Sequence, residues 1–373
     1  NAEEWSEVYR RLCHWHLTLG DSGDGGMLEI LENQHAEANH QFARFIEDHY
    51  EHWMTGMEQG PVMSHQVLPT WLPDALAGSE GRPLFLVVID NLRWDQWRAI
   101  APVLSDDWNI AEEKTYFSIL PTATQYARNA LFAGMTPADI ARTKPECWVD
   151  ESAEGSKNAH EAKLQEALFE RMGVKGKTAY HKITSLEAGK RLADRFHEQK
   201  GQSVTTVVYN FVDMLSHARS EMEVIKELAD DEAAYRSLTH SWFVHSPLKH
   251  MLDAMAEMRG RVVLTTDHGT MRVDHPVEVR GDRATNANLR YKVGKNLGYN
   301  AEDVMEVKQP DKVGLPKPNV SSTYIFAKTR DFLVYPNNAS RYVKTFRNSF
   351  QHGGVSMEEM IIPWVVLDPK NTQ

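Results

Sequence analysis

Apolar positions in the first stretch of the chain recur every three to four residues. Trp5, Val8, Tyr9, Leu12, Trp15 and His16 share one helical face before residues 21–26 interrupt the spacing. Residues 28–54 resume it through Leu31, Phe42, Phe45, Ile46 and Trp53. The pattern predicts a small helical module over residues 1–58, whose plainest reading is a linker or docking element. Residues 59–83, punctuated by Pro61, Pro69, Pro73 and Pro83, read as a linker. The pattern then changes character. Leu84-Phe85-Leu86-Val87-Val88-Ile89 is a continuous apolar run of strand length, as expected of a strand covered on both faces. Comparable runs lie at 204–211, 261–265 and 360–367, and helical periodicity fills 161–172, 185–198 and 231–258. Residues 321–328 and 332–335 read as a hairpin. Strands alternating with helices predict an α/β domain over 84–373, a mostly parallel sheet with helices on both faces.

The length of 373 residues suits one large domain and a lesser one. No stretch approaches the ~18–20 apolar residues of a membrane span, and the first residues have neither the basic nor the apolar region of a signal peptide. Two cysteines far apart, Cys13 and Cys147, argue against a disulfide framework and for a reducing cytoplasm. A formal charge of −11 opposes binding to a nucleic-acid duplex. It leaves a short phosphorylated substrate open, because bound divalent cations can dominate the local field of an acidic protein.

Ligands in α/β sheets gather outside the carboxyl ends of the strands. There the first strand runs into Asp90 and Asn91, the 204–211 run leads to Asp213 and His217, and the 261–265 run to Thr266-Asp267-His268-Gly269. A further histidine stands in Gln351-His352-Gly353-Gly354 before the last strand. Each piece alone has a plain reading as a cap, a turn, a loop or an i, i+4 pair. Together they make a mixed oxygen and nitrogen ligand set that suits zinc, and manganese less well. In Leu120-Pro121-Thr122-Ala123-Thr124 a strand-like stretch gives way to a helical pattern through Tyr126, Ala127 and Leu131. A hydroxyl at such a helix start faces a field that favours an anion, although Thr122 or Thr124 could serve only as an N-cap.

The order Asp90, Pro121-Thr122, Asp213-x-x-x-His217, Asp267-His268-Gly269, His352 resembles the alkaline phosphatase superfamily of phosphodiesterases, phosphomutases and sulfatases. Within it the chain resembles the PglZ-domain branch, and more closely PorX-type response-regulator effectors. Val88-Ile89-Asp90-Asn91-Leu92-Arg93, residues 120–128, residues 350–363 and the helical segment ahead of them carry that likeness. The resemblance implies an alkaline-phosphatase-like fold and two divalent metal ions. Asp213, His217 and His352 would hold one ion, and Asp90, Asp267, His268 and the Thr122 oxygen the other. Thr122 would be the nucleophile of a phosphodiesterase, acting on nucleotides or short linear or cyclic oligonucleotides through a phosphothreonine. Asn91 and Arg93 follow a ligand strand and are candidate substrate contacts, and residues 272–275 a candidate substrate loop. Arg128, two turns along the nucleophile helix, is a poor candidate for phosphate contact. The likeness also implies an effector of bacterial two-component signalling, with a sensor kinase or secretion-system partner and room for a homodimer. PorX-type proteins carry an N-terminal receiver domain; this sequence opens directly on helices, so the receiver is expected to lie outside it or to be lacking. Sulfatase chemistry needs C/S-x-P-x-R, which Thr122-Ala123-Thr124-Gln125-Tyr126 does not supply, and the basic set of a phosphoglycerate mutase is not evident. The competing readings are a signalling module with a structural metal site, and nucleotide binding without turnover. Residues 132–160 read as a lid or specificity loop.

Overall fold

The computed structural model describes residues 1–22, 25–151, 153–210, 212, 215, 231–281 and 285–370. Two long helices open the chain, α1 (Ala2–Ser22) and α2 (Gly25–Thr55), followed by α3 (Ser64–Ala77). The first five strands are β1 (Leu84–Ile89), β2 (Trp108–Phe117), β3 (Thr178–Ile183), β4 (Val204–Tyr209) and β5 (Arg261–Thr265). With the last strand, Ile361–Pro369, they form a six-stranded sheet in the order β2, last strand, β5, β1, β4, β3. Strand β1 is buried at all six positions. Phe85, Val87 and Ile89 enter one apolar cluster and Leu84, Leu86 and Val88 the other, one on each face of the sheet. At roughly 1.5–3 kcal/mol for each fully buried aliphatic side chain, a run of this kind commits the segment to the centre of the sheet.

Register decides where the loops emerge. Ile89 pairs with Tyr209 and Val88 with Thr265 in parallel ladders, so β1, β4 and β5 end level with one another. The last strand runs antiparallel to β5 and β2, with Ile361 opposite Phe117 and Trp364 opposite Thr265. The segment entering the last strand therefore arrives at the edge from which β1, β2 and β5 depart, and the residues after Ile89, Phe117 and Thr265 meet those before Ile361. The α/β architecture with a mostly parallel sheet is as the alternating pattern implies.

Several expectations change. The proline-rich stretch read as linker contains α3, with Pro69 and Pro73 inside the helix. Each proline forgoes a backbone bond, but Val67, Leu68 and Leu72 are fully buried against the sheet, and that packing offsets the loss. The hairpin does not form. Thr323–Ala327 is the middle of a three-stranded antiparallel sheet with Tyr291–Gly294 and Val304–Val307, while Asp331–Val334 pairs in parallel with His275–Glu278. The helical pattern over 231–258 breaks into Glu232–His245 and Pro247–Glu257, because Pro247 has no N–H to continue the first helix and Ser246 caps the second through Lys249 N. The helical module shares the main core: Tyr9, Phe42, Ile46 and Tyr50 join Trp97, Phe117 and Leu120 in one cluster. Among the described residues no helix is long and apolar enough to cross a membrane.

Candidate active site

Asp90 directly follows β1, and the left-handed backbone of Asn91, at φ 63°, turns the chain back over β5. There Asn91 N donates to Asp267 Oδ1 at 3.2 Å, and His268 N donates to the same oxygen at 3.0 Å. Those two backbone donors engage Oδ1, and Oδ2 faces His268 Nε2 at 3.7 Å. Asp90 is divided the same way. Arg128 Nη1 holds its Oδ2 at 2.5 Å, while Oδ1 lies 3.8 Å from His268 Nε2. His268 donates from Nδ1 to the Gly269 carbonyl at 2.9 Å, which fixes the proton on Nδ1 and turns Nε2 toward the two carboxylates. One ligand atom from each of Asp90, Asp267 and His268 lies within 4.8 Å of the others, and all three residues are buried.

A hydroxyl completes the group, and it belongs to Thr124. This residue opens the helix Thr124–Ala133, and its Oγ1 lies 3.1 Å from His268 Nε2 and 3.4 Å from Asp90 Oδ1. Thr122, expected as nucleophile and ligand, is turned elsewhere. Its Oγ1 donates to Gly354 O at 2.9 Å and accepts from Gly353 N at 3.1 Å. His352 donates from Nδ1 to Thr122 O at 3.2 Å, and its ring stacks on that of His268 with centroids 4.3 Å apart. Thr122 thus ties the His352 loop to the Thr124 loop, and His352 lies at the cluster's edge. Asp213 and His217 lie outside the described residues.

The expected substrate contacts separate. Asn91 is fully buried with its backbone at the cluster. Arg93 does not join the site: its guanidinium forms a bidentate pair with Asp95 at 2.8 and 2.6 Å, meets Glu232 at 2.6 Å, and lies over the rings of Tyr235 and Phe350. The arginine that reaches the cluster is Arg128, which touches Asp90, stands 3.7 Å from Asp267 Oδ2 and pairs with Glu161 at 2.5 Å. Glu161 in turn accepts from Tyr180 at 2.6 Å and Lys182 at 3.1 Å. Burial disfavours the charged form of Glu161, yet Arg128 and Lys182 hold its carboxyl below the usual range. The only sequence signal for Arg128 was its position one turn beyond Thr124 on the same helical face. Val149, Lys157 and Asn158 are held to this helix by Gln125 Nε2 to Val149 O, Asn129 Nδ2 to Lys157 O and Asn158 Nδ2 to Thr124 O, at 2.8, 3.1 and 2.9 Å.

The donor set fits a divalent cation. Two buried carboxylates face one imidazole nitrogen and one hydroxyl, the carboxylates and the imidazole each being oriented by a further partner, and a single guanidinium does not balance the acids. The described part of the site would seat one ion through Asp90, Asp267, His268 and Thr124, with His352 beside it.

Residues 68–367 match the family model of the BREX system PglZ alkaline phosphatase-like domain, which spans most of the chain. The chain belongs to the PglZ family. Residues 1–54, ahead of the PglZ domain, match the PorX response regulator linker domain. The PglZ chain superposes on murine ectonucleotide pyrophosphatase/phosphodiesterase 5 with a TM-score of 0.52 and 11% identity, covering 76% of this chain and 88% of that one. The human counterpart gives 0.51 and 10%, with 76% and 87% covered. At such identity the likeness is one of fold, the alkaline-phosphatase-like fold of phosphodiesterase and phosphatase hydrolases. No curated protein sequence matches this PglZ chain.

Proposed function

We propose that this PglZ chain is a metal-dependent phosphodiesterase of nucleotides or short oligonucleotides, with the Thr124 hydroxyl as nucleophile. The observation that carries the reading is the convergence of Thr124 Oγ1, Asp90 Oδ1 and His268 Nε2 at the first residue of a buried helix. A divalent cation held by Asp90, Asp267 and His268, zinc by the nature of the donors, would lower the hydroxyl's pKa and offset charge on the phosphate. Thr124 sits where the helix N-terminus directs backbone N–H groups and a positive field toward an anion. Attack by Oγ1 on phosphorus forms the O–P bond as the bond to the leaving oxygen breaks, and water then hydrolyses the phosphothreonine. Positioning and electrostatics supply most of the rate enhancement in such transfers, which is why the fixed orientation of Asp90 and His268 matters.

A second ion would fall to His352 with Asp213 and His217. The murine structural neighbour has been solved as an inactive threonine-to-alanine variant in complex with AMP, which supports a nucleotide substrate and a threonine as reacting group. The PorX linker match supports a place in a two-component system, as the output of a response regulator. The two buried free cysteines are consistent with a reducing compartment.

The test is hydrolysis of bis-p-nitrophenyl phosphate and the matching monoester by the zinc-loaded protein, beside Thr124→Ala and a chelated sample. The reading expects preferential diester turnover, lost by at least 10³-fold in Thr124→Ala with metal content retained. Turnover that survives Thr124→Ala would remove this hydroxyl as nucleophile.

A further inference from the structure

We infer that helix α2, within the segment matched by the linker model, is part of the catalytic site's framework, with Asn39 and Tyr50 as positioning residues for the two loops that form it. The inference rests on the functional reading above. Asn39 and Tyr50 are buried and stand eleven residues apart, three turns, on the same face of α2 and about 16 Å from one another along its axis. Each makes polar contacts to a different loop.

At one end, the Asn39 amide donates to both carboxylate oxygens of Glu358, at 3.2 and 2.9 Å, and its Oδ1 accepts from Met357 N at 2.9 Å. His35, one turn earlier, adds an ion pair from Nε2 to Glu358 Oε1 at 2.8 Å. The turn held in this way is packed directly on the Asp267-His268-Gly269 segment. Gly269 N donates to Glu359 O at 3.0 Å, and a Cβ on Gly269 would stand 1.9 Å from Glu358 O. The same turn holds the His352 loop, because Gly354 N donates to Glu359 Oε1 at 2.9 Å. Any displacement of Glu358 therefore moves both histidine-bearing segments.

At the other end, Tyr50 OH accepts from Leu120 N at 2.8 Å. Leu120 is fully buried, and a backbone N–H in that setting has no water to turn to. Leu120 leads into Thr122, which grips the His352 loop, and into Thr124. One helix thus spans the Thr124 loop and the His268 and His352 segments, and it does so through hydrogen bonds to specific backbone and carboxylate groups. Apolar packing alone would seat the helix without fixing these loops in register with one another.

The test uses the full chain with Tyr50→Phe, which removes the acceptor and little volume, Asn39→Ala, and Ile46→Val on the same buried face. Steady-state hydrolysis of bis-p-nitrophenyl phosphate and amide hydrogen exchange of peptides over 118–124 and 350–360 are measured for each. Tyr50→Phe is expected to lower kcat about 10-fold with KM within about 2-fold, and to speed exchange over 118–124. Asn39→Ala is expected to speed exchange over 350–360 and to weaken zinc binding on the order of 10-fold. Ile46→Val is expected to lower stability while leaving kcat and both exchange profiles as in the wild type. Wild-type exchange in both peptides of the Tyr50 and Asn39 variants, or equal loosening by Ile46→Val, would overturn the inference. An inactive wild type would count against the phosphodiesterase reading alone, because exchange is read independently of turnover.

Discussion

Arg128→Met would expose how the charge of the site is balanced. The guanidinium, 1% exposed, meets Asp90 and Glu161 at 2.5 Å each and Asp267 at 3.7 Å. Methionine keeps much of the volume and removes the cation, leaving buried carboxylates against a thioether. Breaking a buried ion pair from one side costs about 3–5 kcal/mol. An unfolding entropy of ~2.1 cal/mol/K per residue over 373 residues is roughly 0.8 kcal/mol/K, so the expected fall in Tm is about 4–6 °C. A divalent cation held by Asp90 and Asp267 supplies positive charge to the same oxygens, so the deficit should shrink to roughly half when zinc is present. Arg128→Lys, which restores charge without the two-pronged geometry, should recover part of the loss. Scanning calorimetry of wild type and both variants, in chelator and in zinc, reads all of this. A methionine variant within about 1 °C of the wild type in chelator, or a deficit indifferent to zinc, would refute the claim that Arg128 compensates these carboxylates.

Thr122→Val keeps the shape and removes both bonds to the Gly353-Gly354 backbone. It should lower kcat about 10-fold without abolishing it, whereas Thr124→Ala should abolish it, and steady-state kinetics on the two variants separates positioning from chemistry. The clamp between α2 and Glu358 should depend on pH. Burial works against the charged form of Glu358, but His35 and Asn39 hold its carboxyl down at about 2, so its contribution is present above the ordinary pKa of 4.5 and is lost as pH falls toward 2. Burial works against the charged His35 as well, yet Glu358 raises it above 6.5, so its contribution is full below 6.5 and is lost as pH rises through the raised value. The stability difference between wild type and His35→Gln should therefore be largest between about pH 4.5 and 6.5 and fade in alkali, as followed by denaturant midpoints across pH. A difference that grows above pH 8 would contradict the pairing.

What the chain alone determined was the centre of the fold and the residues at its strand ends. Strands β1, β4 and β5 are buried on both faces, so their apolar runs announce themselves, and parallel topology then brings Asp90, Asp267 and His268 to one edge. The edge strands β2 and β3 mix polar and apolar residues, most of them at least partly exposed, and left no such mark. Direction was decided only by the tertiary structure. Thr122 and Thr124 are two residues apart and chemically alike, but the glycines of the His352 loop take one hydroxyl and the helix start aims the other at the carboxylates. Arg93 stands three residues from Asp90 and faces Asp95, while Arg128 comes from 38 residues away to hold it. The bonds from α2 to Leu120 and Glu358 span 70 and 319 residues of sequence, for Tyr50 and Asn39 respectively. Local pattern records which side chains must be buried; it cannot record which buried polar group will find which partner, because that depends on how separate segments dock.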